Sequence, residues 1–346
     1  MNFYKVDCIY FLFPILCILL YFTKKYKVFL SLYLIAFLGF SKIGADYNGY
    51  LIHFNQHKAN VLLNNIHGEL FFKLYMKLFV KIGLSYEIFR VFHIVLFLSL
   101  ICYFLYKLSK NYYCSLFILY CGYIIYLCSA YRQLISMAFV FIGLYLMKKR
   151  KYNLPILLNM VGINFHISSI LLLLFFIFYK IKKIIKNINK KIIVFITIGC
   201  LILRFCMIYS VKYISIILNI IGKGVHFNIY TQSLQLLPFG LLTRLIPFIV
   251  VLTFYKNRDN FENKIFIMYV FSILLYFLFP FEIIMGRLTN NGRILECILF
   301  PILIKQQNKK LNKNILKLFV ITYFILVLIN QLLKQYGYYP YINILF

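Results

Sequence analysis

Acidic side chains are scarce in this chain, and one of them, Asp46, lies where a carboxylate could do chemistry. The chain has eight Asp and Glu residues against 38 Lys and Arg residues. Asp46 lies in the segment 44–50, Gly-Ala-Asp-Tyr-Asn-Gly-Tyr, which directly follows an apolar run. A positioned carboxylate can act as a general base. Asp and Asn beside Gly are also ordinary turn formers, so the local sequence leaves both interpretations open.

Two further polar side chains, Arg132 and His166, lie at or within apolar runs, where a polar group costs free energy unless it has a partner. Arg132 begins an apolar run, and a cation at a helix start opposes the helix dipole unless an anion lies nearby. An arginine that extends to lipid headgroups is the ordinary alternative. His166 precedes Ser168 and Ser169 in an apolar stretch, where polar groups are usually partnered or face a cavity. It is either a functional residue or one that caps a helix or hydrogen-bonds within the bundle.

Arginines in the second half of the chain are candidates for binding phosphate. Guanidinium groups bind phosphate oxygens through paired hydrogen bonds, so several arginines on one face of a membrane protein indicate a pyrophosphate site. Contact with headgroups is the alternative for some of them. No Asp-x-Asp pair, phosphate-binding loop or histidine metal motif occurs, so we expect neither a metal nor another cofactor. These arginines are Arg204, Arg244, Arg287 and Arg293.

The composition shows which kind of structure must position these residues. Hydrophobic residues make up 63% of the chain and charged residues 13%, against about 25% in soluble domains. Such a surplus of apolar side chains must face lipid and excludes an ordinary soluble enzyme. The net charge of +30 comes mostly from basic clusters between apolar runs, a pattern typical of cytoplasmic loops rather than of nucleic-acid binding. The nine cysteines lie largely in apolar runs without a C-x-x-C pair and are predicted to be packing residues.

The apolar runs predict about ten membrane spans, since roughly 20 helical residues cross the hydrocarbon core. The first has its positive charges after the apolar core, which favours a span over a signal peptide. Both termini are predicted to lie outside. The predicted spans are 6–22, 28–43, 86–106, 113–129, 132–147, 192–210, 241–256, 265–280, 294–304 and 315–335, of which 294–304 is short and is expected to extend into its flanks.

Two segments depart from this pattern. Basic runs flank residues 152–179 on both sides, so the segment should enter and return as two short helices, 154–165 and 167–179, with an outward tip at 164–166. From Glu69 to Lys81, lysines and leucines each recur every fourth residue on opposed stripes. This predicts a helix lying flat at the outer interface, with a tilted span as the alternative.

The predicted fold is therefore an all-α, polytopic transmembrane bundle of about ten full spans, with a short-helix hairpin and an outer interfacial helix. No repeat or linker divides the chain, so residues 1–346 are predicted to form a single integral membrane domain. The longest non-apolar connections, 44–68 and 211–240, fall on the outer side, where we expect function.

Four short motifs occur in order along the first half of the chain. They are Gly44-Ala45-Asp46-Tyr47-x-x-Tyr50, Glu69 before an apolar helix, Arg132-Gln133-x-x-x-x-Ala138, and Phe165-His166-x-Ser168. Their order, spacing and membrane setting resemble the EpsG family of Wzy-like bacterial polysaccharide polymerases. The resemblance covers residues 30–180 well, and beyond them only the hydropathy and the basic Arg287 to Arg293 region agree. Ala45 stands where the family more often has Thr.

The resemblance implies a multi-pass enzyme of the bacterial cytoplasmic (inner) membrane. Similar proteins polymerise oligosaccharide repeat units carried on undecaprenyl pyrophosphate, at the outer face, into capsular, exo- or O-antigen polysaccharide. It implies catalytic roles for Asp46, Arg132 and His166, with Asp46 or His166 as the general base. The substrate-binding residues expected with them are Tyr47, Tyr50, Glu69, Gln133, Ser168, Arg244, Arg287 and Arg293.

The same resemblance implies the partners of the protein. These are the lipid-linked oligosaccharide, membrane lipids, and a flippase and chain-length regulator of the same pathway, without nucleic acid. One alternative is another membrane enzyme with a polyprenyl-pyrophosphate donor, such as a ligase, a glycosyltransferase or an acyltransferase. A transporter or flippase is the second alternative, although transporters usually carry paired broken helices and only one broken element, around Asn164 to Ser168, is visible here.

Overall fold

The structure, a computed structural model, describes residues 8–23, 25–41, 46–66, 68–151, 153–180, 190–220, 239–256 and 259–334. Within these ranges the chain is almost entirely helical and has no β-strand. The helices are α1 (Ile9–Thr23), α2 (Lys27–Gly39), α3 (Tyr47–Lys58), α4 (Leu70–Lys81), α5 (Tyr86–Leu108), α6 (Tyr112–Cys128), α7 (Tyr131–Lys148), α8 (Asn153–Phe165), α9 (Ile170–Lys180), α10 (Lys190–Ile220), α11 (Phe239–Phe254), α12 (Asn260–Leu278), α13 (Glu282–Arg293), α14 (Glu296–Gln306) and α15 (Lys310–Lys334).

The chain divides into two compact units. The first comprises Met1–Ser169 with Glu296–Phe346 and contains α1 to α8, α14 and α15. The second comprises Ile170–Leu295 and contains α9 to α13. The single membrane domain expected over residues 1–346 stays a prediction.

Helix α6 forms the centre of the first unit, packed against α1, α5, α7, α14 and α15. It is apolar on all sides and nearly all of its residues are buried, as expected of a core helix. Gly122 allows α15 to approach, because a Cβ there would lie 3.2 Å from the Phe324 ring. Gln331 of α15 donates hydrogen bonds to the carbonyls of Cys121 and Gly122. The central position of α6 explains why Cys121 and Cys128 are buried packing residues without disulfide bonds.

The described residues support a multi-pass membrane protein but leave the number of spans a prediction. Four helices are long and apolar enough to cross a bilayer: Tyr86–Leu108, Lys190–Ser210, Asn260–Leu278 and Lys310–Leu333. Several other apolar helices are shorter. Helix α14 has 11 residues and is about 17 Å long, against roughly 30 Å of hydrocarbon. The segment 294–304, expected to extend into its flanks, thus extends by two residues at its C-terminal end, to Gln306, and begins two residues later than predicted, at Glu296.

Other helix boundaries also correct the sequence prediction. The connection expected from residue 211 begins later, because α10 continues through Ile220. Its last ten residues are mostly apolar and contain neither Gly nor Pro, so nothing in the sequence ends the helix before Gly222. Residues 221–238, the remainder of that connection up to the start of α11, lie outside the described residues. The predicted connection 44–68 contains α3 and a 3-10 turn at Leu63–Asn65.

The expected break near His166 is confirmed. Helix α8 ends at Phe165, a 3-10 turn spans Ile167–Ser169, and α9 begins at Ile170. Small residues hold α8 close to α7 and to the turn after α8, since a Cβ on Gly162 would lie 3.2 Å from Phe139 Cδ2 of α7 and 2.9 Å from Ser169 Oγ. The hydroxyl groups of Ser136 and Ser169 are 2.7 Å apart and share a hydrogen bond. These contacts fix His166 beside the first turns of α7.

Helix α4 has the predicted leucine and lysine stripes, but they lie side by side and not on opposed faces, because residues three positions apart share one face of a helix. The leucines Leu70, Leu74 and Leu78 are 50%, 45% and 52% exposed. The opposite side buries aromatic and thioether side chains, Phe72, Met76 and Phe79, against the first unit. With 12 residues the helix is about 18 Å long, too short for a span. An interfacial position therefore fits better than a tilted span, and the side of the membrane stays a prediction.

Candidate functional site

Glu69 joins two of the predicted site residues. Arg132 Nη1 donates a hydrogen bond to Glu69 Oε2 at 2.5 Å, and His166 Nδ1 lies 3.0 Å from Glu69 Oε1. Glu69 immediately precedes α4, Arg132 lies in the first turn of α7, and His166 follows α8. Three segments separated by 63 and 97 residues therefore meet at one carboxylate.

Glycine is required next to this carboxylate. Gly68 has a φ of +115°, a conformation that L-residues with a side chain rarely adopt. A Cβ at this position would lie 3.1 Å from Arg132 Nη1. The backbone before Glu69 thus leaves space for the guanidinium group, and the Gly68-Glu69 pair forms one part of the site.

The charge on Glu69 determines the tautomer of His166. Burial alone would raise the pKa of Glu69, but the His166 hydrogen bond and the Arg132 charge outweigh burial and lower the pKa to about 2. Glu69 is therefore ionised at neutral pH and can only accept hydrogen bonds. His166 Nδ1 must carry the shared proton, which leaves the Nε2 lone pair of the neutral ring available.

Tyr50 connects Asp46 to this cluster. Its ring stacks on Tyr131, with centroids 4.5 Å apart, and its hydroxyl accepts a hydrogen bond from Arg132. The Tyr50 amide donates to the Asp46 carbonyl at 3.0 Å, and the Asp46 amide donates to Ser129 Oγ at 3.2 Å. Asp46 is exposed, and its carboxylate does not cap α3. Asp46 thus lies at the same end of the first unit as Arg132, with an accessible carboxylate.

Sequence reasoning missed a second cluster, built around Arg90. Arg90 is fully buried in α5, donates to the Gly39 carbonyl at 3.0 Å and lies 3.6 Å from Glu87 Oε2. The Tyr47 hydroxyl donates a hydrogen bond to Glu87. Burial and the Glu87 carboxylate together raise the pKa of Tyr47 to about 12, so its hydroxyl stays protonated. The i,i+3 spacing of Glu87 and Arg90 at the start of a long apolar helix was the available signal.

Two other residues of the first unit that were predicted to bind substrate, Gln133 and Ser168, are buried. Gln133 is 2% exposed, and Ser168 is completely buried, with its Oγ 3.4 Å from that of Ser136. Both residues flank the described cluster in sequence, Gln133 after Arg132 and Ser168 after His166. Their roles in binding substrate stay predictions.

The remaining arginines belong to the second unit. Arg244 lies over the Tyr276 ring, with its Cζ 3.7 Å from the ring centroid, and its Nη1 donates to the Gly240 carbonyl. Arg204 donates to the carbonyls of Tyr276 and Phe279, so it caps the end of α12. Arg204 is therefore a structural residue as well as a cation.

Helix α13 carries the other two predicted arginines. Arg293 is 7% exposed, whereas Arg287 is exposed. Gly286, next to Arg287, faces Arg244, because a Cβ on Gly286 would lie 3.5 Å from Arg244 Nη2. Helix α13 and Arg244 are thus neighbours within the second unit, and binding of pyrophosphate by these arginines stays a prediction.

No metal-binding group stands out in the part of the chain that the structure describes. Within it, no set of three or more His, Cys, Asp and Glu side chains is placed to hold a metal ion. The expected independence of metal ions stays a prediction.

These features define a multi-pass, all-helical membrane protein with a cluster of acid, guanidinium and imidazole groups at one end of its first unit. The chain belongs to the EpsG family of Wzy-like polymerases, whose family model matches residues 24–343. The match covers nearly the whole chain and so extends well beyond residues 30–180, where the motifs lie. No curated protein and no solved structure matches this chain. Membership of the family indicates a membrane polysaccharide polymerase.

Proposed function

We propose that this protein joins oligosaccharide repeat units carried on undecaprenyl pyrophosphate at the outer face of the bacterial cytoplasmic membrane. The products expected are capsular, exo- or O-antigen polysaccharide. A flippase and a chain-length regulator of the same pathway are the expected protein partners. Family membership supports the reaction class, and the Glu69-centred cluster supports the assignment of residues.

His166 acts as the general base in this proposal. Its Nδ1–H is held by Glu69, so its Nε2 can take the proton of an acceptor sugar hydroxyl. The hydroxyl oxygen attacks the anomeric carbon of the donor sugar, and the bond from that carbon to the phosphate oxygen breaks with its electron pair leaving on the diphosphate. The proton goes to His166, which gains one positive charge as the diphosphate gains one negative charge.

Arg132 and Asp46 have complementary roles. Arg132 faces Glu69 and Tyr50 and supplies a fixed positive charge where negative charge develops. Asp46, with its exposed carboxylate, positions the acceptor sugar through hydrogen bonds to its hydroxyl groups. It is also the second candidate for the base. Arg244, Arg287 and Arg293 are proposed to contact phosphate of a lipid-linked substrate.

The observation that carries the proposal is the shared carboxylate of Glu69. A glutamate that orients a histidine through Nδ1 prepares the Nε2 atom for proton transfer, which contributes about 10²–10⁴-fold to a rate. The same glutamate also accepts a hydrogen bond from Arg132, so the guanidinium and imidazole groups meet at one carboxylate. No metal takes part in this mechanism, so we expect polymerisation by the purified protein to continue in EDTA.

Analysis of lipid-linked glycans after deletion of the gene tests the function. Loss of a polymerase leaves single repeat units on the carrier, whereas loss of a ligase leaves long unattached chains. We expect single units, and we expect that neither His166→Ala nor Arg132→Ala restores full-length polymer. Asp259→Asn is the matched control for Asp46→Asn, because Asp259 is exposed and only caps α12. Long unattached chains in the deletion strain, or full-length polymer from both the His166 and Arg132 variants, would overturn the proposal.

A further inference from the structure

A small cavity lies beside the Glu69 cluster, between α3, α4 and the start of α7. Its polar lining comprises Tyr50, His53, His57, Lys73 and Arg132. The enclosed volume is about 20 Å³, room for one water molecule or one phosphoryl oxygen. The cavity therefore shares Arg132 with the proposed active site.

Basic groups are concentrated around this cavity. His53 and His57 lie one turn apart on α3, and Lys73 and Lys77 lie one turn apart on α4. Burial lowers the pKa of His57, and the nearby charges of Lys77, His53 and Lys73 lower it further. Lys77, His53 and Lys73 thus lie close enough to His57 to oppose its protonation by charge repulsion.

The described residues provide little negative charge to balance this repulsion. Lys73 Nζ donates to the carbonyls of Leu63 and Ile66, at 2.8 and 3.2 Å, and not to a carboxylate. His57 is 2% exposed, and its Nε2 has no hydrogen-bond partner within the described ranges. Glu69, the neighbouring acid, already pairs with Arg132 and His166. An anion that enters from outside would reduce the charge repulsion at His57 and would accept a hydrogen bond from its Nε2.

The exposed face of α4 indicates which anion this is. Leu70, Leu74 and Leu78 present an apolar surface on the same helix as Lys73 and Lys77. A ligand with a long apolar chain attached to a phosphate group matches a leucine stripe beside a lysine stripe.

We propose that the cavity and Lys77 bind the diphosphate of the lipid-linked substrate, with a phosphoryl oxygen near His57 and Lys73 and the polyprenyl chain along the leucine stripe of α4. This inference rests on the proposed function and deepens it. It places cations for the diphosphate in the first unit, beside Arg132.

Binding of farnesyl diphosphate to the full-length protein in phosphatidylcholine nanodiscs tests this site. Lys77→Gln is the main variant, because Lys77 makes no hydrogen bond or ion pair with another described residue. Lys73→Gln and Lys73→Arg form a second pair, in which Arg keeps the charge. Lys58→Gln is the matched control, since Lys58 follows His57 on α3 but is exposed and contacts the Phe54 ring.

We expect Lys77→Gln and Lys73→Gln each to weaken binding about fivefold, as for one lysine beside a phosphate-bearing surface. Lys73→Arg should retain most of the affinity, and Lys58→Gln should change it by less than about twofold. Inorganic pyrophosphate, which lacks the chain, should bind more weakly, and phosphatidylglycerol in the nanodisc should not compete. Wild-type affinity in both glutamine variants, an equal loss in Lys58→Gln, or effective competition by phosphatidylglycerol would overturn the inference. The binding assay needs no polymerisation, so its result is independent of the glycan analysis that tests the function.

Discussion

Glu69 contacts two candidate site residues at once. It precedes α4 at a glycine with positive φ, and its two oxygens contact Arg132 and His166 separately. In the proposed mechanism it touches neither sugar nor phosphate, so it is a positioning residue. Replacement of Glu69 should therefore change the polymerisation rate in a pH-dependent way, because Glu69 acts through the proton on His166 Nδ1.

Replacement of Glu69 by Gln should change how stability depends on pH. The pKa of Glu69 is about 2 in the folded protein, below its ordinary value of 4.5, so ionisation favours folding. That contribution is complete above about pH 4.5 and is lost as pH falls towards 2. Its size is up to about 3 kcal/mol, from the 2.5-unit difference.

Thermal unfolding in detergent between pH 7 and pH 3 measures this effect. We expect the wild-type midpoint to fall more steeply with decreasing pH than that of Glu69→Gln. Asp259→Asn should follow the wild type, because Asp259 is an exposed cap. Parallel curves for the wild type and Glu69→Gln would show that the ion pair does not stabilise the fold.

Individual helices in this protein approach one another at small residues. In the first unit, Gly162 and Ser136 hold α8 against α7 and so place His166. In the second unit, Gly292 of α13 faces Ser272 of α12, and Ser272 Oγ is fixed by bonds to the carbonyls of Met268 and Tyr269. Such contacts replace the hydrophobic effect in a membrane, where the surrounding lipid is as apolar as the side chains.

Substitution of Gly292 by Ala should destabilise the second unit. The added Cβ would overlap both Cβ and Oγ of Ser272, so α12 and α13 must separate. Overpacking of this kind costs typically about 1–3 kcal/mol. Loss of monodisperse protein on heating, measured by size exclusion, is the readout.

Two variants make this experiment specific. Gly199→Ala in α10 should leave stability unchanged, because a Cβ there meets nothing within 4 Å. Adding Ser272→Gly to Gly292→Ala should restore much of the lost stability. If the double variant is no more stable than Gly292→Ala, the contact between α12 and α13 is not the cause.

Contacts along α2 and α5 define the two ends of the first unit. Helices α2 and α5 run antiparallel, because Arg90 bonds to Gly39 at one end while Lys27 lies over Tyr106 at the other. Helix α5 is about 34 Å long, so these ends are a membrane thickness apart. The site lies at the Gly39 end, and Lys148 lies near Lys107 at the other. Because basic clusters lie at the end with Lys27, Lys107 and Lys148, the positive-inside rule predicts that this end lies inside and the site outside.

Fusions at two positions test this orientation of the whole protein. Alkaline phosphatase joined after residue 60 should be active, because that loop is predicted to be outside. The same enzyme joined after residue 110 should be inactive, and green fluorescent protein there should fluoresce. The reverse pattern would place Asp46 in the cytoplasm and exclude the proposed site of reaction.

Local properties of the sequence were enough to predict the class of fold and several features of individual helices. Hydropathy and charge clusters predicted a helical membrane protein, the break at His166 and the exposed leucines of α4, because each depends on neighbouring residues along one helix. The motifs also singled out Asp46, Arg132 and His166 as site residues. The prediction missed the continuation of α10 to Ile220, because it ended the span at residue 210 although residues 211–220 are mostly apolar and no helix breaker is present before Gly222.

Only the tertiary structure decided which side chains meet. Glu69 bridges Arg132 and His166, and Tyr47 bonds to Glu87 beside Arg90, contacts that the motifs did not predict. The grouping of His53 and His57 with Lys73 was equally hidden. Contacts between residues 63 or 97 positions apart depend on how helices pack and rotate, which hydropathy along the chain does not encode.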